Sequence, residues 1–96
     1  HMIEAPLKTV GIDYPYAGEL IAQGQSYSFR ITAPSDSKEV RLSIDDGDWK
    51  PCRNDDGHWW FDWTAQASGE HIAVSRVIEA DGSMLVTQPR LFKVQP

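Results

Sequence analysis

The stretch GHWWFDW, residues 57–63, sets three tryptophans and a phenylalanine within five consecutive positions. A run this aromatic is either a ligand platform or a strand of a hydrophobic core. In extended chain with period two, Trp59, Phe61 and Trp63 point one way, while His58, Trp60, Asp62 and Thr64 point the other. Three large rings opposite an acid and a hydroxyl form the pattern of a half-buried core strand. Trp60 alone is left on the polar side. The Asp56-Gly57 pair ahead of the run is a hairpin signal, because both residues tolerate positive φ.

The same alternation extends outward in both directions. SYSFRI places Tyr27, Phe29 and Ile31 on one face against Ser26, Ser28 and Arg30. VRLSI sets Val40, Leu42 and Ile44 against Arg41 and Ser43. Further Asp-Gly pairs, Asp46-Gly47 and Asp81-Gly82, separate strand-like runs, and the prolines at 6, 15, 34, 51 and 89 fall at run ends or edges. Helical periodicity is lacking, and turn signals recur about every ten residues, as in a sandwich or barrel. The chain is expected to be all-β, an antiparallel sandwich of about seven strands, at 7–13, 25–32, 39–45, 48–53, 58–64, 70–79 and 84–94. Its core should centre on Phe29, Leu42, Ile44, Trp49, Trp59, Phe61 and Trp63.

Length and charge bound the rest. The 96 residues suit one domain, expected over 3–96, with His1-Met2 a cloning remnant and the domain excised from a longer protein. A net charge of −5, with nine scattered basic residues, argues against nucleic acid as a partner. No apolar run approaches the ~20 residues of a membrane span, so membrane insertion is not expected. One cysteine, Cys52, excludes an internal disulfide, and neither His58 nor His71 forms a nucleophile motif with it. No zinc-ligand spacing occurs, and neither DDGD nor NDDG matches a calcium loop. The residues therefore point to a non-catalytic domain without metal or cofactor.

Residues 70–79 admit two registers. One buries Ile72, Val74 and Ile78 but turns Arg76 inward; the other buries Ala73, Ser75 and Val77. The order of residues across 40–89 bears on this choice. Val40, Ser43, Asp45, Gly47 and Trp49, then Trp59, Trp63, Gly69 and Arg76, then Glu79, Gly82, Gln88 and Pro89 follow a recognisable pattern. It resembles bacterial immunoglobulin-like (early-set) modules, above all the dimerisation domain of molybdopterin sulfite oxidases; IDYPYAGELI, 12–21, resembles their opening strand. The resemblance implies an immunoglobulin-like sandwich with the second register, Arg76 outward. It also implies an accessory module making protein–protein or inter-domain contacts, as a spacer or dimerisation unit.

In that register Ile72, Val74 and Ile78 face solvent, and Trp60 joins them if its strand lies in the same sheet. These four residues are the expected interface, with another domain or a second copy as partner. The alternatives are a carbohydrate-binding module using Trp60, Tyr14 and Tyr16, or a purely structural or engineered scaffold. A periplasmic or cell-surface location within a larger bacterial protein is favoured.

Overall fold

The computed structural model describes residues 10–96. They form ten strands: β1 (Gly11–Tyr14), β2 (Leu20–Ala22), β3 (Ser26–Thr32), β4 (Glu39–Ile44), β5 (Lys50–Pro51), β6 (Arg53–Asp55), β7 (His58–Thr64), β8 (Gly69–Ile78), β9 (Met84–Val86) and β10 (Arg90–Gln95). The start of the expected first strand, 7–9, together with Pro6, His1 and Met2, lies outside the described residues. The excess over seven strands has local causes. The short β2 carries too little alternation to be read from sequence. The expected strand 48–53 divides at Cys52, where the chain passes between sheets, and 84–94 divides around Gln88-Pro89.

The strands make a sandwich of two sheets, one four-stranded in the order β1-β3-β7-β6 and one six-stranded in the order β2-β10-β8-β4-β5, with β9 also paired to β8. Neighbours pair antiparallel except β2 with β10, which run parallel. The chain crosses between sheets at both long edges, from β1 to β2 and from β5 to β6. Arg90 braces the first crossing: its Nη1 donates to the carbonyls of Ile12 at 2.7 Å and Pro15 at 2.8 Å.

Turn chemistry sets the hairpins. Asp56 and Gly57 take φ of 53° and 77° between β6 and β7, the two positive values a type I′ turn needs. After β4 the turn differs from the sequence expectation. Its centre is Asp45-Asp46, with φ of 55° and 58°, and Gly47 N donates to the Ile44 carbonyl at 3.0 Å. A Cβ at Gly47 would stand 3.0 Å from that same oxygen, closer than ordinary van der Waals contact, so a larger residue would press on the turn.

Between the sheets, Ala73, Ser75 and Val77 are fully buried, and Arg76 lies on the outside, so the second register of β8 is the one adopted. Buried Ser75 is satisfied: its N–H donates to Thr87 Oγ1 and its hydroxyl to the Arg41 carbonyl, both at 2.9 Å. Of the expected core, Phe29 and Leu42 are buried, and Ile44, Trp59, Phe61 and Trp63 pack half-buried against it. Trp49 is a correction. Because Lys50 pairs with inward-facing Leu42, alternation turns Trp49 outward, where the Arg76 guanidinium lies 4.6 Å above its ring. Ile12, Ile21, Ile31, Val40, Ala65, Phe92 and Val94 complete the buried apolar set among the described residues.

Phe29 is without solvent exposure and meets three other rings. Phe29→Ala should therefore cost about 3–5 kcal/mol in a urea titration. Trp60→Ala, on the outer face, should cost less than about 1 kcal/mol. Equal losses at the two sites would contradict the assignment of inner and outer faces.

Candidate functional site

Three surfaces offer themselves for binding. The first is the outer face of the six-stranded sheet. Ile72, Val74, Arg76 and Ile78 point outward from β8 and are only half-buried. Cross-strand partners extend this face: Leu91 opposite Ile72, Val86 opposite Arg76, and Met84 opposite Ile78. These three are 61, 54 and 53% exposed, and Leu20, on the same side through its pairing with Lys93, is 57% exposed. The charges among them are largely compensated: Arg41 contacts Glu39, Arg76 covers Trp49, and Lys93 stands opposite Glu70. Leu91 was legible in sequence from alternation with Phe92 and Val94. Met84 and Val86 became recognisable only once β9 was paired to β8.

Trp60 is not part of this face. Its strand β7 belongs to the four-stranded sheet, and its side chain lies on that sheet's outer surface, opposite in direction to Ile72, Val74 and Ile78. The four residues expected as one interface are thus split between two sides of the domain. Trp60 instead completes a second surface, a row across all four strands: Tyr14, Arg30, Trp60 and Arg53 are successive cross-strand partners. A bulge at Asp13 puts that carboxylate on the same face as Tyr14, where it accepts from Arg30 Nε at 3.0 Å and from the Thr32 hydroxyl at 2.5 Å. Arg53 pairs with Asp62 at 2.8 Å; the Ser28 hydroxyl bond and then this arginine hold the Asp62 carboxyl below its usual range. The structure does bring Tyr14, Tyr16 and Trp60 to one region, with Tyr14 and Tyr16 edge to face at 5.2 Å. However, one face of Tyr14 carries the Arg30 guanidinium at 4.6 Å, and Trp60 Nε1 donates to the Asp55 carbonyl. Tyr14 is therefore not an open stacking surface on that side.

The third feature is a cleft between the sheets of about 410 Å³. Leu42, Ile44, Phe61 and Trp63 line its apolar part; Asp45, Asp48, Lys50, Gln66 and His71 supply its polar part. Motif reading could not find it, because it joins residues from both sheets. At its inner end the His71 side chain is only 10% exposed. Its Nδ1 lies 2.5 Å from Asp45 Oδ2 and its Nε2 2.8 Å from the Ala67 carbonyl. Both partners are acceptors, so the doubly protonated ring satisfies both at once. Burial pulls the His71 pKa down. The Asp45 hydrogen bond, the Ala67 carbonyl and the Asp45 charge outweigh it, and the net pKa lies above the ordinary histidine value. Asp45 Oδ1 also accepts from Ile72 N at 3.0 Å, which ties the left-handed turn to β8. Cys52, beside the crossing from β5 to β6, is pushed up to about 12 by burial despite neighbouring Arg53, so it is no reactive thiolate.

No protein-family model and no curated protein matches the chain. Solved structures do match. The fibronectin(III)-like modules of Clostridium thermocellum CbhA superpose with a TM-score of 0.72 at 19% identity, over 90% of this chain and 94% of that one. The fold is immunoglobulin-like. A modular endo-β-1,4-mannanase from Cellulomonas fimi matches with a TM-score of 0.73 at 17% identity, over 93% of this chain but only 19% of that one. CopC from Methylosinus trichosporium OB3b matches at 0.65 and 17% identity, over 92 and 95% of the two chains. At such identities these matches carry the architecture alone.

The His71–Asp45 contact generates a pH dependence. A folded pKa raised above the unfolded one, about 6.5, stabilises the fold fully below that value, and this contribution is lost as pH rises through the folded pKa. Urea titrations of the wild type should show stability falling as the pH rises from about 6.5 to about 8, below the range in which the Cys52 thiol of the unfolded chain ionises. His71→Gln should flatten that fall. A wild-type slope that survives the substitution would assign the dependence elsewhere.

Proposed function

We propose that the chain is a non-catalytic accessory module that makes protein–protein contacts through the outer face of its six-stranded sheet. The observation that carries this reading is the apolar band along β8, in which Ile72, Val74 and Ile78 are extended by Leu91, Val86 and Met84. Contiguous exposed apolar surface on a small domain marks an interaction site, because leaving it in water forgoes the free energy of burial. The chain's acidity is concentrated elsewhere, in the turns around 45–48 and 55–56. The face itself sets Arg41, Arg76 and Lys93 against Glu39 and Glu70, so electrostatics oppose its self-association only weakly.

The partner we assign is a second copy of the chain. A two-fold interface uses the same patch twice, and an apolar strip with nearly cancelling charges is suited to that arrangement. The sequence resemblance to the dimerisation domain of sulfite oxidases supports the same reading. Structural likeness to modules, one of them a small part of a much longer mannanase, supports an accessory rather than a catalytic role. It also supports a place outside the cytoplasm, since a mannanase acts on a polysaccharide.

Sedimentation equilibrium decides the matter. Wild type should show a concentration-dependent dimer, and Val74→Lys and Leu91→Lys should each be folded and shifted toward monomer by at least about tenfold in Kd, as expected for charge placed in an interface centre. A wild type monomeric at every concentration, or variants that dimerise unchanged, would refute the assigned partner.

A further inference from the structure

We propose that the cleft between the sheets binds a neutral sugar ring, seated on Phe61 and Trp63 and held at its rim by Asp48 and Lys50. The proposal is independent of the outer-face interface, because the cleft opens between the sheets.

The size and lining suit a small ligand. A volume of about 410 Å³ falls within the ~300–1,000 Å³ of small-molecule sites, which combine an apolar wall with a few placed polar groups. Phe61 and Trp63 point inward from β7 yet remain half-exposed, so their rings present apolar surface to the cleft. Trp63 is itself fixed by edge-to-face contacts with Phe29, Phe92 and His71, at 5.8, 5.6 and 5.6 Å. A ring held on several sides is preorganised for stacking.

The polar groups select the class of ligand. His71 and Asp45 neutralise one another, and both ring nitrogens and both carboxylate oxygens are already engaged. The side chains of Asp48 and Lys50 make no hydrogen bond or ion pair among the described residues. Both line the cleft, whereas Trp49 between them turns to the opposite side. One is an acceptor and the other a donor, and their charges cancel. A cation or an anion would satisfy one and be repelled by the other. A hydroxyl both donates and accepts, so neighbouring hydroxyls of a sugar can donate to Asp48 and accept from Lys50. The C–H face of the same ring then lies on the aromatic wall. A purely apolar aromatic ligand would fill the wall but leave both rim groups without partners, and sites built for hydrogen bonding reject such analogues.

The test is a ¹⁵N-resolved NMR titration of the whole chain with cellobiose, mannobiose, maltose and diacetylchitobiose, and with indole as an apolar control. At least one disaccharide should give saturable shifts centred on the Trp63 indole N–H and the amides of Ala67 and His71. Asp48→Ala and Lys50→Ala, both exposed and outside the core, should leave the remaining spectrum intact and weaken binding by about tenfold each, the effect of losing one hydrogen bond to a charged group. The proposal is overturned if no disaccharide moves the cleft resonances or if the shifts centre on Trp60 and Tyr16. Binding of indole alone, or unchanged affinity in both variants, overturns it equally.

Discussion

The two sheets meet through one group of aromatic rings, and most of the domain is arranged around it. Phe29 touches Tyr27, Trp63 and Phe92 edge to face, with centroids 5.6, 5.8 and 5.5 Å apart. Trp63 reaches across to Phe92 in the same manner, and His71 stacks on Phe92 at 5.6 Å with planes 21° apart. Edge-to-face packing sets the positive edge of one ring against the negative face of another, which gives the contact direction as well as area. Rings from both sheets therefore hold the separation between them. The inward residues of β8 accommodate this bulk by being small: Ala73 and Ser75 fill positions where a larger side chain would compete for the same volume.

At one end this packing is incomplete, and the cleft follows from that. The turn at 44–47 places two aspartates in the left-handed region, a conformation that costs free energy for residues other than glycine. Its compensation is visible. Asp45 accepts from the Ile72 amide and from His71, its own amide donates to the Ile72 carbonyl at 2.8 Å, and Ser43 Oγ donates to the Gly47 carbonyl at 2.9 Å. The strained turn is thus anchored to the long central strand of the other hairpin, and the wall of the cleft is held by polar contacts where apolar packing stops.

The outer faces of the two sheets differ in kind. On the four-stranded sheet, Arg30 and Arg53 are paired with Asp13 and Asp62, and the rings between them are covered or hydrogen-bonded. That surface is satisfied in water. On the six-stranded sheet, apolar side chains stand exposed beside a cation–π pair of Arg76 and Trp49. The asymmetry is what distinguishes a solvated side from a side available for contact.

Much of the fold was legible in the chain itself. Period-two alternation placed β3, β4 and β7, and Asp56-Gly57 placed the hairpin before β7, because side-chain direction in a strand and positive φ in a tight turn are local properties. The register of β8 was readable only with the resemblance added to the charge of Arg76, because hydrophobicity alone favours burying Ile72, Val74 and Ile78. Which strand joins which sheet was not local. Trp60 and Val74 carry the same outward signature in sequence, yet the crossing at Cys52 and the return into β8 send them to opposite sides of the sandwich. Trp49 was misjudged for a related reason: its side depends on how β5 pairs with β4, not on its own neighbours. The cleft lay furthest from the sequence. Asp45, Lys50, Trp63 and His71 become one site only when two sheets stack, and no spacing along a single strand encodes a gap between them.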